Sequence, residues 1–174
     1  MIKVPIIVLE DELLDCKAIF ENFPEKRRTT HELYFVIKEK DSKKIALSNE
    51  MPTNTNCEIV LFEDAENINF LDGDKDAIFR EIVSKKNFVL ILDLVLVDRE
   101  TQETALSESL LLSLKDADVE YMKRIALFSS FSASSLEAES IAEDNYIVSL
   151  SKGLSAADTV EDFYLEFFKR LEMV

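Results

Sequence analysis

The stretch "FVLILDLVLVD", residues 88–98, constrains this chain more than any other. It is almost unbroken Val, Ile and Leu, and far short of the ~20 apolar residues of a membrane helix. Such a run suits a strand buried on both faces of a sheet. One carboxylate, Asp93, interrupts it. A lone buried carboxylate is costly to ionise without a partner or a metal. Taken singly, Asp93 could simply cap a turn at the strand end, since aspartate favours turns.

Three other segments share this character: "KVPIIVL" (3–9), "RIALFS" (124–129) and "YIVSL" (146–150). Helical spacing lies between them. "DELLDCKAIFENF" puts Leu13, Cys16, Phe20 and Phe23 on one face, and "KDAIFREIVSKK" aligns Ile78 with Ile82. "TALSESLLLSLK" aligns Leu106, Leu110 and Leu114, and "SSLEAESIAED" (134–144) is a shorter candidate. The last, "SAADTVEDFYLEFFKRL", repeats Val160, Tyr164, Phe167 and Leu171. Strands alternating with amphipathic helices predict a parallel sheet covered on both sides. At 174 residues one domain is expected, burying roughly 70% of its unfolded surface.

Residues 25–72 break the alternation. They carry apolar runs at "ELYFVIKEK", "KIALS" and "CEIVLFED", separated by polar stretches with Pro and Asn. Residues 33–38 are expected to supply the second strand, and the remainder an inserted hairpin or flap. Only two glycines occur, Gly73 and Gly153, so neither a P-loop nor a dinucleotide-binding turn can be built.

Charge narrows the function classes. Twenty basic against 35 acidic side chains give a net charge of −15. Such a surface repels phosphate backbones and anionic lipid, and attracts a basic partner or a divalent cation. Cys16 and Cys57 form no CxxC pair. They read as reduced cytosolic thiols, with one disulfide left open. The amino terminus is too short in apolar residues for a signal peptide. His31, the sole histidine, stands in "RRTTHEL" and reads as a solvated surface residue, leaving no material for a zinc site or a histidine triad.

Ligands of parallel α/β sheets bind at the carboxyl ends of the strands. Here those ends carry Glu10, Asp11 and Glu12 after the first strand, Asp93, then Ser129 and Ser130, then Lys152. Clustered carboxylates repel unless a cation sits among them, and Mg²⁺ takes a few such oxygens while keeping water positions for a phosphate. An aspartate oxygen can then attack phosphorus, with lysine and hydroxyl groups neutralising the moving phosphoryl group. Asp11 could equally be an N-cap and Glu12 a solvated first-turn acid.

With "IIVLEDE", "VLILDL", "IALFSS" and "SKGLSAADTVEDFYLEFFKRL" in this order, the chain resembles a response-regulator receiver domain of two-component signalling. The resemblance covers residues 1–174 apart from the inserted segment at about 25–72. It implies a flavodoxin-like, doubly wound five-stranded parallel sheet with helices on both faces. It implies Mg²⁺ on Glu10, Asp11, Asp93 and the Val95 backbone carbonyl. Asp93 is the implied phosphoacceptor, with Ser129 and Lys152 contacting the phosphoryl group. The implied partners are a histidine kinase or phosphotransfer protein and a downstream effector protein, in the cytoplasm, with no direct contact to nucleic acid or membrane.

The pattern is atypical. Lys152 precedes Gly153 where the family has proline, and Ser149 stands where a switch aromatic is usual, the nearest aromatic being Tyr146. The loop "DLVLVDRETQETA" lacks the usual Pro and Gly. No DNA-binding segment follows the last helix, so a stand-alone receiver acting by protein contact is expected. An unphosphorylated receiver-like interaction module is the alternative, and a Mg²⁺-dependent hydrolase a further one that the acidic surface disfavours. Aromatic residues spread over more than one face of the last helix. Phe163 and Phe168 are therefore either core residues or the edge of a docking or homodimer surface.

Overall fold

The computed structural model describes residues 2–93, 96, 105–129, 148–151 and 156–172. The described residues form strands β1 (Val4–Leu9), β2 (His31–Lys38), β3 (Ile45–Ser48), β4 (Ile59–Phe62), β5 (Ala65–Ile68), β6 (Val89–Leu92), β7 (Ile125–Ser129) and β8 (Val148–Ser151). Helices are α1 (Leu13–Glu21), α2 (Lys75–Ser84), α3 (Ala105–Ala117) and α4 (Ala156–Leu171). The candidate helix at 134–144 lies outside the described residues.

The central sheet runs β3-β2-β1-β6-β7-β8. Five of these strands, β2, β1, β6, β7 and β8, pair in parallel. That is the doubly wound order, and β2 contains the expected 33–38 segment. The parallel core follows from composition: Ile6, Ile7, Val8 and Leu9 of β1 and Leu90, Ile91 and Leu92 of β6 are all at most 1% exposed. Strands covered on both faces cannot alternate polar and apolar residues.

The sheet also has a sixth strand that the pattern of alternating elements did not predict. β3 lies antiparallel on the outer edge of β2, with Phe35 opposite Ser48 and Lys38 opposite Ile45. Residues 39–44 are too few for the helical crossover a parallel neighbour needs, so the chain can only fold back. β4 and β5 form a separate antiparallel hairpin. Beyond it, Lys38 reaches Asp74 at the start of α2 across 3.0 Å, and the Lys38 side chain is only 8% exposed. Asp74 also accepts the Leu71 amide at 2.9 Å, so the buried charge is well partnered.

Right-handed crossovers send α1 to one face of the sheet and α2 and α3 to the other. Helix α1 packs with α4, and α2 with α3. Most positions of the helical stripes read from the sequence are buried (Cys16, Phe23, Ile78, Ile82, Leu106, Leu110, Leu114, Val160, Tyr164 and Phe167), while Leu13, Phe20 and Leu171 are partly buried. Tyr164 places its ring 5.5 Å from Phe23 and donates its hydroxyl to the Ile19 carbonyl at 2.8 Å.

For Phe163 and Phe168 the core alternative holds, and the solvated reading of His31 is corrected. Phe163 and Phe168 are buried, at 0% and 5% exposure. Phe163 packs against Phe128 of β7 at 5.0 Å, and Phe168 against His31 at 5.1 Å. They belong to the core, and Leu165 is the large apolar residue that α4 exposes. His31 is likewise buried at 9% exposure, with its Nδ1 2.8 Å from the Thr30 hydroxyl. The polar neighbours in the sequence hid its position as the first residue of a buried strand. Both cysteines are buried, and neither forms a disulfide. Burial pushes the Cys57 thiol up to about 11, so it stays protonated near neutral pH. Among the described residues, no helix is long and apolar enough to cross a membrane.

Phe163→Ala is expected to destabilise the fold by about 3–5 kcal/mol in urea denaturation, with oligomeric mass unchanged by sedimentation. A changed mass at unchanged stability would restore the interface alternative. For His31, burial and then the nearby Arg27 charge lower the pKa from 6.5. The unfolded chain therefore binds this proton more readily, so the fold loses stability as pH falls below about 6.5. His31→Gln is expected to flatten the melting-temperature profile between about pH 7 and pH 5. Parallel wild-type and variant profiles would contradict that account.

Candidate functional site

The chain steps from β1 to β2 on one side, then returns to place β6 on the other. The gap between β1 and β6 is thus the switch point, where open α/β sheets hold ligands beyond the strand carboxyl ends. Leu9 of β1 is in register with Leu92 of β6. The Asp93 amide then donates to the Leu9 carbonyl at 2.9 Å, which sets the next residues of both strands side by side.

Those residues are Glu10, Asp11 and Asp93, exposed by only 2%, 4% and 4%. Each offers a carboxylate oxygen, and the three oxygens lie within 4.8 Å of one another. Glu10 Oε1 also accepts the Glu12 amide at 3.0 Å. At this separation an ionised pair repels by roughly 3–4 kcal/mol at an effective dielectric of 20. A divalent cation reverses that sign, and three hard oxygens in a buried pocket suit Mg²⁺. The donor set therefore fits the metal.

The other site residues divide by location. Ser129 closes β7 on the same sheet edge, in register with Ser151 of β8, and Ser149 stands opposite Leu127. Lys152 follows Ser151 in the chain and lies, with Val95, Ser130 and Tyr146, outside the described residues. Asp11 is not the helix N-cap. That position is Glu12, whose side chain makes no capping hydrogen bond.

One supporting residue escaped the sequence reading. Ser107, fully buried in the first turn of α3, donates its hydroxyl to the Asp93 carbonyl at 2.9 Å. It fixes the backbone beside the carboxylate. The available signal was a small polar residue in helical register with Leu111 and Leu114, both buried. Lys38 also reaches the carboxyl end of its strand, but its ammonium is held by Asp74.

These features have the flavodoxin-like fold found in receiver domains, with the acidic cluster at the switch point. The chain is similar to the response regulator receiver domain from Rhodospirillum rubrum, with a TM-score of 0.51 and 17% identity. The match covers 97% of this chain and 94% of that one. At that identity the likeness is one of fold. No family model matches the sequence, and no curated protein matches it.

Ser107→Ala leaves a buried carbonyl without its donor and is expected to cost about 1–3 kcal/mol of unfolding free energy. Ser113 in the same helix bonds the Ser109 carbonyl, in a partly buried setting. Ser113→Ala therefore serves as the control in the same denaturation experiment. Equal losses in the two variants would remove Ser107 from the site's support.

Proposed function

We propose that residues 1–174 form one receiver-like signalling unit, elaborated at about 25–72, that accepts a phosphoryl group on Asp93. The observation that carries this reading is the buried convergence of Glu10, Asp11 and Asp93 at the β1/β6 switch point. Glu10, Asp11 and Asp93, with the Val95 carbonyl, would hold Mg²⁺, which neutralises charge on the phosphoryl oxygens.

An Asp93 carboxylate oxygen attacks the phosphorus of a phosphohistidine on a histidine kinase or phosphotransfer protein. The P–N bond breaks, the imidazole leaves with a proton, and an acyl phosphate remains on Asp93. Ser129 donates its hydroxyl to one phosphoryl oxygen and Lys152 its ammonium to another. The acyl phosphate carries close to two negative charges where the carboxylate carried one. Output passes to an effector protein by contact, in the cytoplasm. The net charge of −15 favours a basic docking surface on that partner over nucleic acid.

Incubating the protein with a small phosphodonor and Mg²⁺ is expected to add the mass of one phosphoryl group. Asp93→Asn and removal of Mg²⁺ should each abolish the gain. A wild-type chain that binds Mg²⁺ yet gains no mass would sink the phosphoacceptor reading and leave an unphosphorylated interaction module.

A further inference from the structure

The loop bearing two of the three carboxylates is held by the inserted segment as well as by the sheet. The four carbonyls from Leu9, the last residue of β1, to Glu12 are each bonded differently. The Leu9 carbonyl takes the Asp93 amide, and the Glu12 carbonyl takes the Cys16 amide at 3.0 Å. The Glu10 carbonyl takes the Cys16 thiol at 3.5 Å. The Asp11 carbonyl takes the amide of Ile68, the last residue of β5, at 2.7 Å. Beside it, Glu12 and Asn67 form an antiparallel bridge.

The hairpin making these bonds is itself anchored. Ile68 and Phe70 are both 1% exposed. The Asn69 amide donates to the Glu58 carbonyl at 2.9 Å, and the Glu58 amide to the Lys38 carbonyl at 2.7 Å. Glu39 and Cys57 add a second antiparallel bridge. The insertion thus runs from the carboxyl end of β2 to the acidic loop at the carboxyl end of β1. Helix α1 gives that loop no side-chain cap at Glu12, so the bonds from β5 supply restraint that capping would otherwise provide.

We infer that the β4–β5 hairpin is a positioning element for the divalent cation, with Ile68 as its principal residue. The inference rests on the metal reading above. The Ile68 amide fixes the Asp11 peptide, and the fixed peptide holds the Asp11 carboxylate in range of Glu10 and Asp93. Ile68 and Asn67 act through this loop and do not themselves touch the cation. Outer partners of this kind typically change metal affinity by about 10–100-fold when removed. Coupling is reciprocal, so a bound cation must in turn hold the hairpin closed.

Two measurements on the whole chain test this with Mg²⁺ alone. Ile68→Pro removes the donor, and calorimetric titration should show Mg²⁺ affinity falling about tenfold or more. Ile68→Val, which keeps the amide, should bind as the wild type does. The second measurement needs no variant. At Mg²⁺ tenfold above its Kd, hydrogen exchange at the Ile68 amide should slow about tenfold. Asp11→Asn should lose that response. If Ile68→Pro does not fold, the exchange result decides. Wild-type Mg²⁺ binding with Ile68 exchange unchanged overturns the inference and leaves the metal site standing. No Mg²⁺ binding by the wild type overturns both.

Discussion

The hydrogen bond from the Asp93 amide to the Leu9 carbonyl is the interaction on which the site depends. It closes the β1–β6 ladder at its last paired residues, Leu9 and Leu92. That rung brings two acidic strand ends together where the sheet changes direction. Hydrophobic burial of β1 and β6 drives the pairing, and the electrostatic cost of adjacent carboxylates is its by-product.

Most of the sheet could be read from the sequence because strands covered on both faces leave an unambiguous trace. Runs such as "PIIVL" and "FVLIL" have no solvent side to blur them. The three acids were legible for a related reason: a carboxylate ending such a run has few places to go except the sheet's edge. Ser129 follows the same logic at the end of β7, whereas Lys152 lies outside the described residues.

What escaped was set by contacts between distant segments. β3 carries a mixed pattern, "IALS", with Ile45 buried and the rest half-buried, so periodicity alone gave it no clear partner. The bond from Ile68 to Asp11 joins two backbone groups, which leave no mark on residue type, and the Ser107 hydroxyl finds the Asp93 carbonyl 14 residues back in the chain. His31 was misread because its neighbours Arg27, Arg28 and Thr30 are polar, whereas burial came from Phe168, far along the chain. For Phe163 and Phe168 the sequence left a core and a docking surface open. In fact the helix meets β7 through Phe163 and the aromatic ring of Phe23 through Phe168.

The phenol of Tyr164 has a mechanical implication. Its hydroxyl is tied to the Ile19 carbonyl in a setting where water cannot replace the lost bond. The terminal helix is therefore latched to the first helix as well as resting on the sheet. A lengthwise slip of one must drag the other or break a buried contact. Since the first helix begins directly after the acidic loop, any stress applied at the carboxyl-terminal end of the molecule has a stiff route back to its charged pole.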